Sequence, residues 1–140
     1  RRFYSVAQHS VHCVELVIEK ATNDRFTAMA ALLHDASEAY LSDIIRPVKR
    51  SLISTELRQI ETRLDQCVAQ RFDIAPANWM SSTVKWADNG MLKNEHEQLF
   101  DATKAWECDH VDVRRLHIPA WSPTEAEHNF LCLYHELEHR

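Results

Sequence analysis

A single glycine, Gly90, serves all 140 residues, where average usage gives roughly ten. Two-residue hairpins need glycine or asparagine at positive φ, so a β-sandwich or meander is disfavoured. The P-loop and the dinucleotide fingerprint need two and three glycines, which excludes both. What remains is a chain of helices joined by polar loops. Its length suits one domain with a real core, spanning residues 1–140.

Charge then narrows the partners. The net charge is −5, against the basic footprint that sequence-independent binding to polymeric nucleic acid requires. A small anionic substrate held by a local cation cluster stays open. No run of 18 apolar residues occurs, so no membrane span is expected. Cys13, Cys67, Cys108 and Cys132 form no C-x-x-C pair and read as free thiols of a reducing cytoplasm. The chain opens Arg1-Arg2-Phe3 and is read as lacking its natural N-terminal segment.

Helical periodicity runs along most of the sequence. Ser5-Val-Ala-Gln8 is a capping-box pattern before a stripe of Val6, Ser10, Cys13, Val14, Val17 and Ala21. A second helix starts near Asn23-Asp24 and runs to His34-Asp35, its alanines permitting close approach of neighbours. A short helix from Ser37 to Leu41 precedes a turn at Asp43-Ile-Ile-Arg46-Pro47, where the residue before proline leaves the α region. A helix over about 54–72 carries Leu57, Ile60, Leu64, Cys67, Val68 and Phe72 as its core face. Another begins near Pro76 and stays in phase across Asn89-Gly90 to Leu99. Residues 101–121 read as irregular, and Ser122-Pro123-Thr124-Glu125 caps a terminal helix.

Polar residues on apolar helix faces need a reason. His9 sits on the first helix between Val6 and Cys13. His34-Asp35 ends a helix that reads as buried. Asp88 shares a face with Val84, Leu92 and Leu99, and Glu95 falls on that face two turns later. A salt bridge to an arginine would also account for Asp88. Together His9, His34, Asp35 and Asp88 offer two imidazoles and two carboxylates from three helices. That mixture suits a six-coordinate site for Mn, Co, Fe or Zn with open positions for water and substrate. Adjacent residues of a regular helix point about 100° apart, so His34 and Asp35 can act together only at a helix end. Glu38, four residues after His34, is placed to exchange a proton with a bound water. Asp43 precedes the basic turn of Arg46, Lys49 and Arg50, and Lys85 lies one turn before Asp88. With Arg1 and Arg2 these cations can hold phosphate oxygens, although each alone is more often a solvated surface charge. His12, His96, His110, His117 and His128 read as surface or hydrogen-bonded core residues.

The segments Tyr4-Ser-Val-Ala-Gln-His9-Ser10, Ala31-Leu-Leu-His-Asp-Ala-Ser-Glu38-Ala-Tyr40, Asp43 with Pro47-Val-Lys49, and Val84-Lys85-Trp-Ala-Asp88 resemble the HD-domain metal phosphohydrolases. Within them the chain is similar to the small 5′-deoxynucleotidases and phage-type deoxynucleoside triphosphate phosphohydrolases. The resemblance covers residues 1 to about 100 and implies an all-α HD-domain bundle of about five to seven helices. It implies that His9, His34, Asp35 and Asp88 hold one divalent ion (Zn, Co or Mn, with Mg disfavoured). Glu38 would be general acid/base, Asp43 would support the site or the sugar, and Lys49 and Lys85, with Arg2, would meet substrate phosphates. The expected reaction is release of phosphate from a deoxynucleotide. The alternative is release of triphosphate from a deoxynucleoside triphosphate such as dATP, and a lesser one is a non-catalytic nucleotide-binding module. A cytoplasmic homo-oligomer is also implied. Ser42 stands where glycine is usual before the Asp, which is expected to shift that loop slightly.

One further motif competes. His135-Glu-Leu-Glu-His139 matches H-E-x-x-H, in which two histidines one turn apart bind zinc beside a glutamate base. Glu138 inside the motif suits a buried metal helix poorly, and histidines near a helix C-terminus are favoured by its dipole.

Overall fold

The computed structural model describes residues 3–21, 24–42, 44, 54–79, 81–100 and 105–140. Its described helices are α1 (Val6–Ala21), α2 (Arg25–Leu33), α3 (Glu38–Leu41), α4 (Ser54–Arg71), α5 (Pro76–Trp79), α6 (Ser82–Leu99) and α7 (Pro123–His139). No strand occurs among the described residues. The architecture is the all-α bundle that the glycine deficit pointed to.

α1 is the central helix, packed against α2, α6 and α7. Residues 8–14 are buried without a break, wider than the stripe read from periodicity, because helices cover it on several sides. α2 buries every residue from Thr27 to Leu33. Ala28, Ala30 and Ala31 lie against the core with almost no exposure, the close approach that small side chains allow. Asp24 caps α2 by accepting from the Phe26 amide. Ser5 accepts from the Gln8 amide at 3.2 Å, but the Gln8 side chain turns away to donate to the Pro119 carbonyl, so the first capping box is half made. At α7 both halves form between Ser122 and Glu125.

Two expectations need correction. The helix expected from Pro76 to Leu99 is two, because Ser81 takes an extended conformation and caps α6 by accepting from the Val84 amide. And α4 does not have a clean buried face. Val68, Ala69 and the following Phe72 pack against the core, whereas Ile60 is 46% exposed and Cys67 is exposed. The described helices meet only the C-terminal end of this amphipathic stripe. All four cysteines are free. No described helix is long and apolar enough to cross a membrane.

The described irregular segment, 105–121, is strapped along α6 by side chains that stand in for a partner strand. Asn94 donates to the carbonyls of Gly90 and Arg114 and accepts from the Leu116 amide at 2.7 Å. One turn on, Gln98 donates to the Leu116 carbonyl and accepts from the Ile118 amide. Buried non-helical backbone must find partners somewhere, and here amides at i and i+4 of one helix supply them. The strap also gives Gly90 its reason. A Cβ there would meet Val113 Cγ2 at 3.0 Å and Leu16 Cδ1 at 3.4 Å.

Candidate metal centre

His9 from α1, His34 and Asp35 from the end of α2, and Asp88 from α6 converge on one point. α2 gives way after Leu33 to a tight turn in which the Ala36 amide bonds to Leu33 and the Glu38 amide to Asp35. This break lets two adjacent residues face the same place. His34 Nε2 lies 3.3 Å from Asp35 Oδ2 and 4.0 Å from Asp88 Oδ1. His9 Nε2 lies 3.8 Å from Asp35 Oδ2 and 3.6 Å from Asp88 Oδ1. Bonds of about 2.1 Å to a six-coordinate ion put neighbouring donors roughly 3 Å apart and opposite donors roughly 4.2 Å apart. The four separations fall inside that range.

Both imidazoles are held through their outer nitrogens. His34 Nδ1 donates to the Ala31 carbonyl at 2.8 Å. His9 Nδ1 donates to Glu95 Oε1 at 2.6 Å. The Ala31 carbonyl keeps the His34 hydrogen on Nδ1, so its Nε2 turns a lone pair inward. Glu95 holds the His9 ring with Nε2 facing the same way, the arrangement of carboxylate- or carbonyl-oriented metal histidines. His34 Nε2 is shielded from solvent with no hydrogen-bond partner, a cost that a cation relieves. Glu95 also accepts from the Tyr4 hydroxyl at 2.5 Å. Burial and the Glu95 charge push the Tyr4 pKa up, which keeps the hydroxyl a donor. Burial opposes charge on His9, but Cys13, Asp88 and Glu95 outweigh it and hold its pKa well above the usual imidazole value. The same negative field favours a divalent cation. The site opens on its acidic side, where Asp35 and Asp88 are 31% and 29% exposed and His9 only 8%.

Two of the other expected residues are described. Glu38 opens α3, half-buried. Lys85 is exposed one turn before Asp88. Arg2, Asp43 and Lys49 lie outside the described residues, as do Arg1, Arg46, Arg50 and the turn at Pro47. Ser42 has φ 64° and ψ 162°, a backbone nearly reserved for glycine. His12 and His96 are buried core residues, stacked on Trp121 and Trp106. His135, Glu136 and His139 lie exposed at the end of α7, as suits a solvated helix terminus.

Sequence reading missed two neighbours of the centre. Cys13 was counted only as part of the apolar stripe, yet its Sγ lies 3.3 Å from His9 Nε2. Its spacing of one turn from His9 was the available clue. Asp65 of α4 interacts with Ser37, Glu61, Asp35 and His34, and burial raises its pKa first among those influences. Nothing local in the sequence ties α4 to the His34-Asp35 turn.

YfdR of Escherichia coli (strain K12), an uncharacterized protein, is 40% identical to the chain over 97 residues, 69% of the chain and 49% of YfdR. The chain thus spans about half the length of that relative. RCAP_rcc00048 of Rhodobacter capsulatus, also uncharacterized, is 34% identical over 145 aligned positions, covering 96% of the chain and 72% of that protein. The chain belongs to the family of RCAP_rcc00048. No family model and no solved structure matches it.

Proposed function

We propose that the chain is a metal-dependent phosphohydrolase of the HD-domain type acting on deoxynucleotides, releasing phosphate as a 5′-deoxynucleotidase. The approach of each imidazole, His9 Nε2 and His34 Nε2, to both carboxylates, Asp35 Oδ2 and Asp88 Oδ1, at 3.3–4.0 Å is the observation that carries this reading. These four residues would hold one divalent ion of the Zn, Co or Mn class. Such an ion polarises a phosphoryl oxygen and lowers the pKa of a bound water.

The chain's own groups do the rest. Glu95 and the Ala31 carbonyl fix the two imidazole rings. Glu38 takes the proton of the attacking water and returns one to the leaving oxygen. Lys85, with Lys49 and Arg2, offsets the charge developing on the phosphoryl oxygens. With no glycine-rich loop to cradle phosphate by backbone amides, long cationic side chains carry that task. Assembly as a homo-oligomer belongs to the same reading and is checked by light scattering.

The test is a screen of the four dNMPs and four dNTPs with Mn, Co, Zn and Mg, scoring phosphate, pyrophosphate and triphosphate. Phosphate from dNMPs supports the nucleotidase, and its loss in D88A with helicity intact supports the site. Triphosphate from a single dNTP redirects the reading to a triphosphohydrolase. No turnover of any substrate, or full activity in D88A, overturns it.

A further inference from the structure

We infer that Cys13 supplies a sulfur ligand to the ion held at the His9–His34 centre, which makes that centre selective for thiophilic transition ions. The inference rests on the metal-centre reading above and goes beyond its four nitrogen and oxygen donors. Cys13 follows His9 by one turn of α1, so both side chains leave the same face. Its Sγ approaches Nε2 of His9 at 3.3 Å, the inward nitrogen, not the Nδ1 that Glu95 occupies. Ligand atoms of His9, Cys13 and His34 all lie within 4.8 Å of one another. Bonds of about 2.3 Å to sulfur and 2.0–2.1 Å to nitrogen put the two donors roughly 3–3.7 Å apart on a shared ion. The shielded Nε2 of His34, which makes no hydrogen bond, independently marks the same point as one where a cation would be favoured. Cys13 itself is fully buried, so solvent does not compete for the sulfur.

The chemistry is coordination without redox change. The sulfur lone pair goes to the ion as the thiol loses its proton, which leaves to solvent by way of the partly exposed Asp35 and Asp88 carboxylates. A soft thiolate beside two imidazoles favours Zn and Co over Mn and Mg. The competing role is a packing thiol that donates a weak hydrogen bond to His9 Nε2.

Cobalt(II) alone is the probe. Wild type, C13S and C13A should each bind one equivalent by equilibrium dialysis. Wild type should show a near-ultraviolet thiolate-to-cobalt charge-transfer band that both variants lose. The C67S/C132S double variant should keep the band, which excludes the exposed pair of Cys132 and His128, 3.6 Å apart. In competition assays C13S should weaken zinc binding by about tenfold, and manganese binding by less than about twofold. One equivalent of cobalt without the band in wild type overturns the inference while leaving the four-donor centre standing. So does a band that survives in C13S. Failure to bind cobalt stoichiometrically overturns both readings together. The wild-type spectrum needs no substitution, so the question is decided even if a Cys13 variant folds poorly.

Discussion

Glu95 Oε1 lies 2.6 Å from Nδ1 of His9, and Glu95 stands two turns along α6 from Asp88. One helix therefore presents a candidate ligand and, seven residues later, the group that orients a ligand from another helix. Removing the charge of Glu95 while keeping its shape tests this division of labour. E95Q should weaken zinc or cobalt binding by about 10–100-fold, the usual cost of losing such an outer partner, with helical circular dichroism unchanged. Isothermal titration reads the affinity. An unchanged dissociation constant would assign Glu95 to packing alone.

Ser42 carries a left-handed backbone, φ 64°. With ψ 162° it sits where a Cβ costs on the order of 1–3 kcal/mol. S42G should raise stability by about 1 kcal/mol, net of the extra chain entropy that glycine brings to the unfolded state. Urea denaturation measures it, and a destabilised S42G would contradict the strained geometry.

Gly90 gives the opposite sign. Alanine in a helix interior gains about 1 kcal/mol over glycine, but its Cβ would press on Val113 at 3.0 Å and 3.2 Å. Val113 is fastened through the strap that Asn94 and Gln98 hold, so it yields poorly. G90A should lower stability by roughly 1 kcal/mol, within the usual cost of overpacking. Adding V113A should restore the helix-propensity gain. A more stable single variant would show that the strap moves freely.

The capping box of α7 sets an acid dependence. Hydrogen bonds from the Ser122 backbone, then from its side chain, hold the Glu125 pKa below its usual value of about 4.5. A folded-state pKa that is depressed stabilises above the unfolded value and loses that contribution as pH falls through the folded one. The first turn of α7 should therefore fray as pH drops below about 4.5. Amide exchange at Glu125 reads this directly, and E125Q should flatten the dependence. An exchange rate for Glu125 that shows the same acid dependence in both proteins would sink the assignment.

Much of the centre was legible because its donors sit on helices, where spacing fixes direction. Val84, Asp88, Leu92 and Glu95 share one face whatever the helix packs against. A carboxylate on that face demanded a partner, and Glu95 found one in His9. The His34-Asp35 pair required a helix end, and the chain has one there. Two helix caps were legible for the same reason, since Asp24 and Ser122 act on amides two or three residues away, whereas the Ser81 cap that splits the expected 76–99 helix was not. What failed was longer in range. Periodicity marked Leu57, Ile60 and Leu64 of α4 as apolar, but it holds no record of which part of the stripe a neighbour covers.

Gly90 shows the division most simply. Its solitude, a property of the sequence alone, disfavoured β-sandwiches and meanders, excluded glycine-rich phosphate loops and pointed to a chain of helices. Helical spacing placed it on the face of α6 away from Asp88. Why that position lacks a side chain was decided only in three dimensions. Val113 is 23 residues away along the chain, and side chains of α6 that bond its segment, Trp86 and Lys93 as well as Asn94 and Gln98, bring it against the helix. The same holds for Cys13, whose spacing allowed it to face His9 but whose place beside His34 required α2 to pack on α1. Local backbone geometry is written in neighbouring residues. Contacts between distant segments depend on how whole helices pack, and no short stretch of sequence contains that.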